Sequence, residues 1–415
     1  MKFGKKKKKK TPFVVDIKYP YLFQHEITNK CNYRCKFCYQ ANKFPQGKVL
    51  KREEIVYGET PLHQQPELSL EEIREHVIPQ VAEMRFEHYC YVGAEPLLRF
   101  DDIVQLGEDI RKIKTVKEVA LSTNGYLLEE HHIDEFKRAY RGKFLLMSIP
   151  FDSLDPQTMQ ALRPPKKDIF ERTMNAIDLA LKKKMIISTP CVANRLNFHE
   201  IEDILKFLKK KGRGRIFVEL YPMYNYGKGA ENEDLCLTDE QMQEFDKIKL
   251  KYFGQPVLMW DSMPCPFTQK AWDKIGNKAF QASISMGCSC GNNTFRIDHA
   301  GNIHPCNFFD FPLGHVMDSP HAIKEIWEGH PDVIKWRNRE IGGKCGNCKH
   351  LVVCGGCRSR ALMETGDVFG GVESCPGGPD GHPLEEIMTK KLKKTYKKYI
   401  FEKWAYYILS KLHLM

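Results

Sequence analysis

No stretch of this 415-residue sequence stays apolar for the ~20 residues that a bilayer demands, which excludes a helical membrane span. No secretory h-region is present either. The fifteen cysteines therefore do not read as the disulfide framework of a small exported protein; they are clustered in a large chain, and a reducing cytoplasm with metal ligation suits them better. Acid is scarce at both ends. Residues 1–10 carry seven Lys and no Asp or Glu, and residues 388–415 carry eight Lys against Glu402. With a formal net charge of +11 for the whole chain, the body between these tails is slightly acidic, which argues against nucleic acid as a partner of the body. Residues 1–12 are expected to be a disordered arm, because like charges repel and no apolar burial offsets the entropy of ordering them. A solvated tail and attraction to anionic lipid or RNA are its two readings. At the other end Leu392, Tyr396, Ile400, Trp404, Ile408 and Leu412 recur every four residues with Lys pairs between them. This predicts a basic amphipathic helix within residues 381–415. It either docks on an anionic membrane surface, making the chain peripheral, or closes the fold with its Lys in water.

The body alternates strands and helices. Leu22–Ile27 reads as a strand, and residues 43–68, rich in Pro and polar residues, as a surface excursion. Ser69-Leu70-Glu71-Glu72 is a capping box, with an apolar stripe of Ile73, Val77, Val81 and Met84 behind it. Further strands are expected at His88–Val92, Val119–Ser122, Phe144–Ile149, Ile186–Val192 and Ile216–Tyr221. Helices are expected near 101–113, 129–140, 168–183 and 198–211. Six βα units imply a parallel sheet with helices outside, two short of a closed eight-stranded ring. The pattern predicts an α/β fold over residues 13–237. A connecting segment over 238–285, opened by a helix that Thr238 caps, leads to a smaller cysteine-rich domain over 286–380.

One stretch stands out. Cys31-Asn32-Tyr33-Arg34-Cys35-Lys36-Phe37-Cys38 places three cysteines in a C-x3-C-x2-C run directly after the first strand. Three thiolates so close hold a soft metal centre, and the spacing suits three corners of a cubane iron–sulfur cluster. Zinc prefers paired C-x2-C ligands, which a lone triplet does not supply. Three ligands leave one iron open to an outside group, a catalytic arrangement.

The triplet resembles the signature of the radical S-adenosylmethionine (SAM) superfamily, C-x3-C-x-aromatic-C, with Phe37 at the aromatic position. That family's incomplete barrel has six strands, so the resemblance implies a partial (β/α)6 TIM-type barrel over residues 13–237, and it extends to the ends of later strands, where ligands of parallel sheets bind. Gly93-Ala94-Glu95-Pro96 is similar to the family's G-G-E-P motif. This implies that Glu95 meets the SAM amino group, with Ala94 departing from the second Gly. Thr123-Asn124-Gly125 matches a T-N-G motif that lies against the nucleoside. Ser148-Ile149-Pro150-Phe151-Asp152 stands where relatives have S-x-D-G, with two residues inserted, and Arg163 follows where relatives place an Arg for the SAM carboxylate. A guanidinium suits that role because it grips a carboxylate bidentately, although a surface Arg at a helix end is the plainer reading. Asn194 and Asn197 match an adenosine-contact region. The implied cofactor-binding residues are Phe37, Gly93, Glu95, Asn124, Ser148 and Arg163, and the implied ligands of the catalytic cluster are Cys31, Cys35 and Cys38.

Eight more cysteines lie between Cys288 and Cys375. They run Cys288, Cys290, Cys306, then Cys345-x2-Cys348-x5-Cys354-x2-Cys357, then Cys375. They suffice for two four-cysteine clusters or two zinc sites, and composition does not choose. Their order is similar to the SPASM domain, the auxiliary-cluster extension of many radical SAM enzymes, although relatives often have three residues where this chain has Gly355-Gly356. The resemblance implies two auxiliary [4Fe-4S] clusters with interleaved ligands. Cys288, Cys290, Cys306 and Cys357 would hold one, and Cys345, Cys348, Cys354 and Cys375 the other. Cys90, Cys191, Cys236 and Cys265 fit no cluster spacing, and Cys90 and Cys191 read as small apolar strand residues.

The implied activity is reductive cleavage of SAM to a 5′-deoxyadenosyl radical that abstracts hydrogen from a substrate, with the auxiliary clusters accepting electrons. Such enzymes draw electrons from a reduced ferredoxin or flavodoxin-like donor, and act on peptides or on small molecules in cofactor synthesis, tetrapyrroles among them. A lipid substrate at a membrane surface is the alternative that the Lys-rich tails raise. A non-enzymatic electron carrier or zinc module is the competing class.

Overall fold

In the computed structural model the described residues are 19–39, 65–252, 288–309, 311–375 and 377–380, with four short paired segments between 42 and 61. The basic arm, Cys265, most of the 43–68 excursion and the C-terminal helix lie outside them. Among the described residues no helix is long and apolar enough to cross a membrane.

Six strands form the parallel part of the sheet: β1 (Leu22–Glu26), β2 (His88–Val92), β3 (Glu118–Ser122), β4 (Phe144–Ser148), β5 (Ile186–Ala193) and β6 (Ile216–Pro222). They lie side by side in chain order, and each neighbouring pair is parallel. The helices between them follow from sequence. Ser69 accepts from the Glu72 N–H while Glu72 reaches back to the Ser69 N–H, the predicted capping box. The helix it opens, α1, runs from Leu70 through a π turn, Ile73–Val77, to Glu83. Then come α2 (Phe100–Lys112), with Asp101 and Asp102 in its first turn and Arg111 and Lys112 in its last, and α3 (Glu130–Ala139). A short helix that the sequence pattern did not announce, α4 (Pro156–Leu162), is capped by Asp155 and started by a Pro at its first position. It precedes α5 (Ile169–Lys182) and α6 (Ile201–Gly212). Thr238 and Gln241 form a second capping box at the start of α7 (Asp239–Tyr252).

Along the strands, residues facing the helices alternate with residues facing the hollow of the sheet. Phe23, Tyr89, Tyr91, Val119, Leu121, Met147, Ile187 and Cys191 join the helices in one buried core. Several of the alternate positions are polar. Ser122, Ser148 and Ser188 stand in register across β3, β4 and β5.

The sheet does not stop at β1. Strand β7 (Thr294–Ile297) pairs parallel to β1, Leu22 opposite Thr294 through His25 opposite Ile297. Strands β8 (Asn302–His304) and β9 (Gly314–His315) follow antiparallel. The nine-stranded order is β6-β5-β4-β3-β2-β1-β7-β8-β9. A buried ion pair, Arg296 Nη1 to Glu26 Oε2 at 2.7 Å, crosslinks β7 to β1. The cysteine-rich segment is thus an extension of the barrel sheet, loop-rich beyond α8 (Ala322–Gly329) and α9 (Pro331–Arg337).

Candidate metal and cofactor site

The Cys31–Cys38 loop springs from β1 and is tied to its surroundings through main-chain atoms. The N–H groups of Arg34 and Lys36 donate to the carbonyls of Pro164 (2.7 Å) and Leu162 (3.0 Å), and the Lys228 N–H donates to the Cys38 carbonyl (2.8 Å). All three thiols are partly buried. Burial pushes the Cys31 thiol up to about 11 and raises Cys35 as well. Thiols held this way give up their protons only to a strong Lewis acid, which is what a soft metal centre is.

Across from the loop lies the Gly93–Pro96 turn. Gly93 has φ +102°, and a Cβ there would run into the side chain of Glu26. Gly93 is therefore obligatory, so that the turn can sit over the Glu26–Arg296 pair. Ala94 is not among the positive-φ residues, which explains why the second glycine is dispensable here. Glu95 follows, fully buried. Its main-chain N–H donates to the Lys30 carbonyl (2.9 Å), fastening the turn to the cysteine loop. Its carboxylate accepts from Thr123 Oγ1 (2.6 Å), the Asn124 N–H (2.8 Å) and the Leu97 N–H (3.1 Å). Burial nevertheless wins over these donors and lifts the Glu95 carboxyl to about 7. Asn124 Nδ2 in turn donates to Asn32 Oδ1 (2.6 Å), inside the cysteine loop. The Asn32 Nδ2 is buried without a hydrogen-bond partner, an orphan donor beside Cys31.

Arg163 caps α4 and is buried, not the surface residue that its helix-end position suggested. Its Nε donates to Asp152 Oδ2 (2.5 Å), its Nη1 reaches Cys35 Sγ (3.6 Å), and its guanidinium carbon stands 5.0 Å from the Phe37 ring centre. Burial works against its charge, but Asp152 and Cys35 outweigh it and hold Arg163 firmly protonated. Asp152 accepts from the Val192 N–H with its other oxygen (2.8 Å). Asn194 and Asn197 are both buried and knit the β5 loop, Asn197 Nδ2 donating to the Asp152 carbonyl (2.7 Å). They shape the loop rather than present amides to a ligand. Asp152→Asn should destabilise the anaerobic protein by about 3–5 kcal/mol in chemical denaturation, because it leaves a buried guanidinium uncompensated. A change below about 1 kcal/mol would mean that solvent, not Asp152, balances that charge.

The hollow of the sheet adds residues that motif reading missed. Glu219 accepts from Ser188 Oγ and from Tyr221 Oη, the latter at 2.7 Å. Cys90 faces the same space, with its thiol raised to about 12 by burial and then by Glu219. Cys90 is a partly buried strand residue with a neutral thiol, and Cys191 packs in the apolar core as expected. The available signal was a polar residue, Ser188 or Glu219, inside a strand that otherwise reads as mainly apolar.

The eight later thiols fall into two groups. Cys288 contacts both Cys290 and Cys357, and Cys290 contacts Cys306. Those sulfur contacts pull the Cys288 thiol down. Cys348 and Cys375 have their thiols raised, first by burial and then by Cys354 and Cys345, which both of them face. In this second group N–H groups of Val372, His350 and Gly377 donate to the sulfurs of Cys345 (3.3 Å), Cys348 (3.4 Å) and Cys375 (3.4 Å). Among the described residues no three His, Cys, Asp or Glu side chains close on the single point that one ion needs. A cubane differs, since each thiolate takes a separate corner iron. The all-thiolate donor sets, the N–H donors aimed at sulfur and the orphan Asn32 amide fit iron–sulfur clusters and an adjoining polar cofactor.

Residues 25–208 match the family profile of the Radical SAM superfamily, and residues 288–349 match that of an iron–sulfur cluster-binding domain, SPASM. The chain is 26% identical over 361 residues to the AdoMet-dependent heme synthase of Methanosarcina barkeri, covering 84% of this chain and 94% of that protein. It is 26% identical over 323 residues to the GTP 3′,8-cyclase of Aquifex aeolicus, covering 76% and 91%. The solved structure of native anSMEcpe with bound AdoMet has the same fold, with a TM-score of 0.59 at 17% identity over 92% of this chain and 98% of that one.

Proposed function

The chain belongs to the radical SAM superfamily and carries a SPASM domain, so it is a SAM-dependent iron–sulfur enzyme, and we propose that it serves cofactor biosynthesis with a tetrapyrrole as substrate. The observation that carries this reading is the near full-length similarity to a heme synthase, 94% of whose length is covered. Cys31, Cys35 and Cys38 are the proposed ligands of the catalytic cluster, and Cys288, Cys290, Cys306, Cys357 and Cys345, Cys348, Cys354, Cys375 those of two auxiliary ones. Bound together, SAM and the catalytic cluster supply one-electron chemistry that starts from an external reductant and ends in hydrogen abstraction.

The chain's own residues bind and orient. Glu95 offers its carboxylate to the SAM amino group, with Thr123 and the Asn124 N–H fixing its rotamer. Asn32 and Asn124 present amides to the rest of the cofactor. Ser148 ends β4 beside Ser122 and Ser188, where small hydroxyls leave room in the hollow. Arg163, held by Asp152, keeps a fixed positive charge at Cys35 and stacks over Phe37. Glu219 and Cys90 form a polar wall for the substrate.

The test is anaerobic incubation of reduced holoenzyme with SAM and a panel of tetrapyrroles bearing propionate side chains, beside thiol- and hydroxyl-containing peptides. Release of 5′-deoxyadenosine that rises at least ~10-fold with one tetrapyrrole, together with a mass change in it, supports the reading. Stimulation by a peptide alone would transfer the chain to peptide modification. A lipid substrate rests only on the charged tails and would show as stimulation by anionic vesicles.

A further inference from the structure

Arg358 follows Cys357 at the start of α10 (Arg358–Thr365) and is 1% exposed. Its Nε donates to the Gly356 carbonyl (3.0 Å), and its Nη1 to the carbonyls of Val368 and Gly370 (both 3.0 Å). Its Nη2 is buried and has no hydrogen-bond partner. Among the described residues no carboxylate pairs with it. A buried guanidinium is costly unless negative charge is near, and an unused buried donor costs further. Besides those carbonyls, its neighbours include the Cys288 thiol and a second buried guanidinium, Arg339, whose charge it disfavours. Gly356 lies between the guanidinium and the second cysteine group, since a Cβ on it would collide with both Nη2 of Arg358 and Sγ of Cys345. The main-chain N–H of Arg358 donates to the Cys288 thiol, and its charge acts on that thiol as well. One residue thus contacts Cys288, in the first group, through its backbone and comes near Cys345, in the second, with its side chain.

We propose that Arg358 is the electrostatic bridge between the two auxiliary clusters, a positioning and potential-tuning residue whose unpartnered Nη2 donates to the cluster held by Cys345. The inference rests on the reading that both cysteine groups hold clusters. A thiolate-ligated cluster gains one negative charge on reduction, so a fixed cation nearby favours the reduced form. A fixed charge acts on each cluster independently, so Arg358 raises both potentials. The glycine pair at 355 and 356 belongs to this device. Both residues have positive φ, and the missing side chain at 356 is what lets the guanidinium approach sulfur.

The experiment is a redox titration of anaerobically reconstituted full-length protein, followed by electron paramagnetic resonance, on wild type, Arg358→Gln and Arg358→Lys, with iron counted in each. The expected result is full iron in all three, both auxiliary midpoints moved to lower potential in Arg358→Gln, partial recovery in Arg358→Lys, and the midpoint of the catalytic cluster unmoved. Unchanged auxiliary midpoints at full iron would overturn the proposal. So would loss of auxiliary iron in Arg358→Lys as well as Arg358→Gln, since the side chain would then be a clamp on the Gly356, Val368 and Gly370 carbonyls. If instead the wild type itself binds only about four irons per chain, one cubane's worth, the two-cluster reading fails, an outcome separate from the others.

Discussion

Changing Cys31, Cys35 and Cys38 together to Ala is expected to lower the iron of anaerobically purified protein from about twelve to about eight per chain and to abolish SAM cleavage, as for the loss of one cubane out of three. The argument is geometric. The loop lies at the carboxyl end of β1, with three partly buried thiols, of which Cys31 and Cys35 are held neutral by burial, and an orphan amide beside them. The later cysteines lie on segments that flank β7, β8 and β9, not on the loop after β1, so their iron should survive. Metal analysis with sulfide determination reads the outcome. A variant that retains all its iron would remove the catalytic assignment, and a protein rich in zinc and poor in iron would remove the whole radical reading.

The second large effect concerns Glu95. Burial lifts its carboxyl to about 7, against an ordinary value of 4.5. The acid is thus easier to ionise in the unfolded chain than in the folded one. Its contribution to stability is intact below about pH 4.5 and declines as pH rises through 7, by an amount on the order of 3 kcal/mol for a shift of this size. A bound ammonium group reverses that balance, because it favours the carboxylate. SAM should therefore bind more tightly as pH rises from about 6 to about 7.5, and binding near neutrality should release protons. Glu95→Gln removes the charge but keeps the shape. Its affinity for SAM should fall by at least ~30-fold, the low end for truncating one partner of a buried charged pair, and its pH slope should vanish. Calorimetry in buffers of different ionisation enthalpy measures both. An unchanged slope in Glu95→Gln would show that another group titrates.

Much of this was legible in the sequence, for definable reasons. The six strands announced themselves through apolar runs spaced by helical periodicity, and Ser69 and Thr238 through capping boxes that depend only on neighbours three residues apart. The Cys31 triplet and Glu95 were readable because each is a short local motif. What escaped depends on distance along the chain. The burial of Arg163 and its pairing with Asp152 come from α4, a seven-residue helix too short to show a period. The contact of Cys288 with Cys357 joins residues far apart in sequence, and only resemblance suggested that grouping. Glu219 looks like any polar strand residue until Ser188 and Tyr221 are seen to point at it.

The parallel pairing of β1 with β7 has a consequence during synthesis. Leu22 leaves the ribosome early, yet its partner Thr294 is about 270 residues behind, as the bond between Tyr21 and Asn293 shows with its separation of 272. At ordinary elongation rates that interval is roughly 14–55 s. For all of it the nascent barrel carries a free edge on β1 and a carboxylate, Glu26, whose arginine has not yet been made. Such an edge invites pairing with other chains. The charge of Glu26, turned inward on that unfinished edge, is itself a guard against such pairing, and it becomes an internal ion pair when Arg296 arrives.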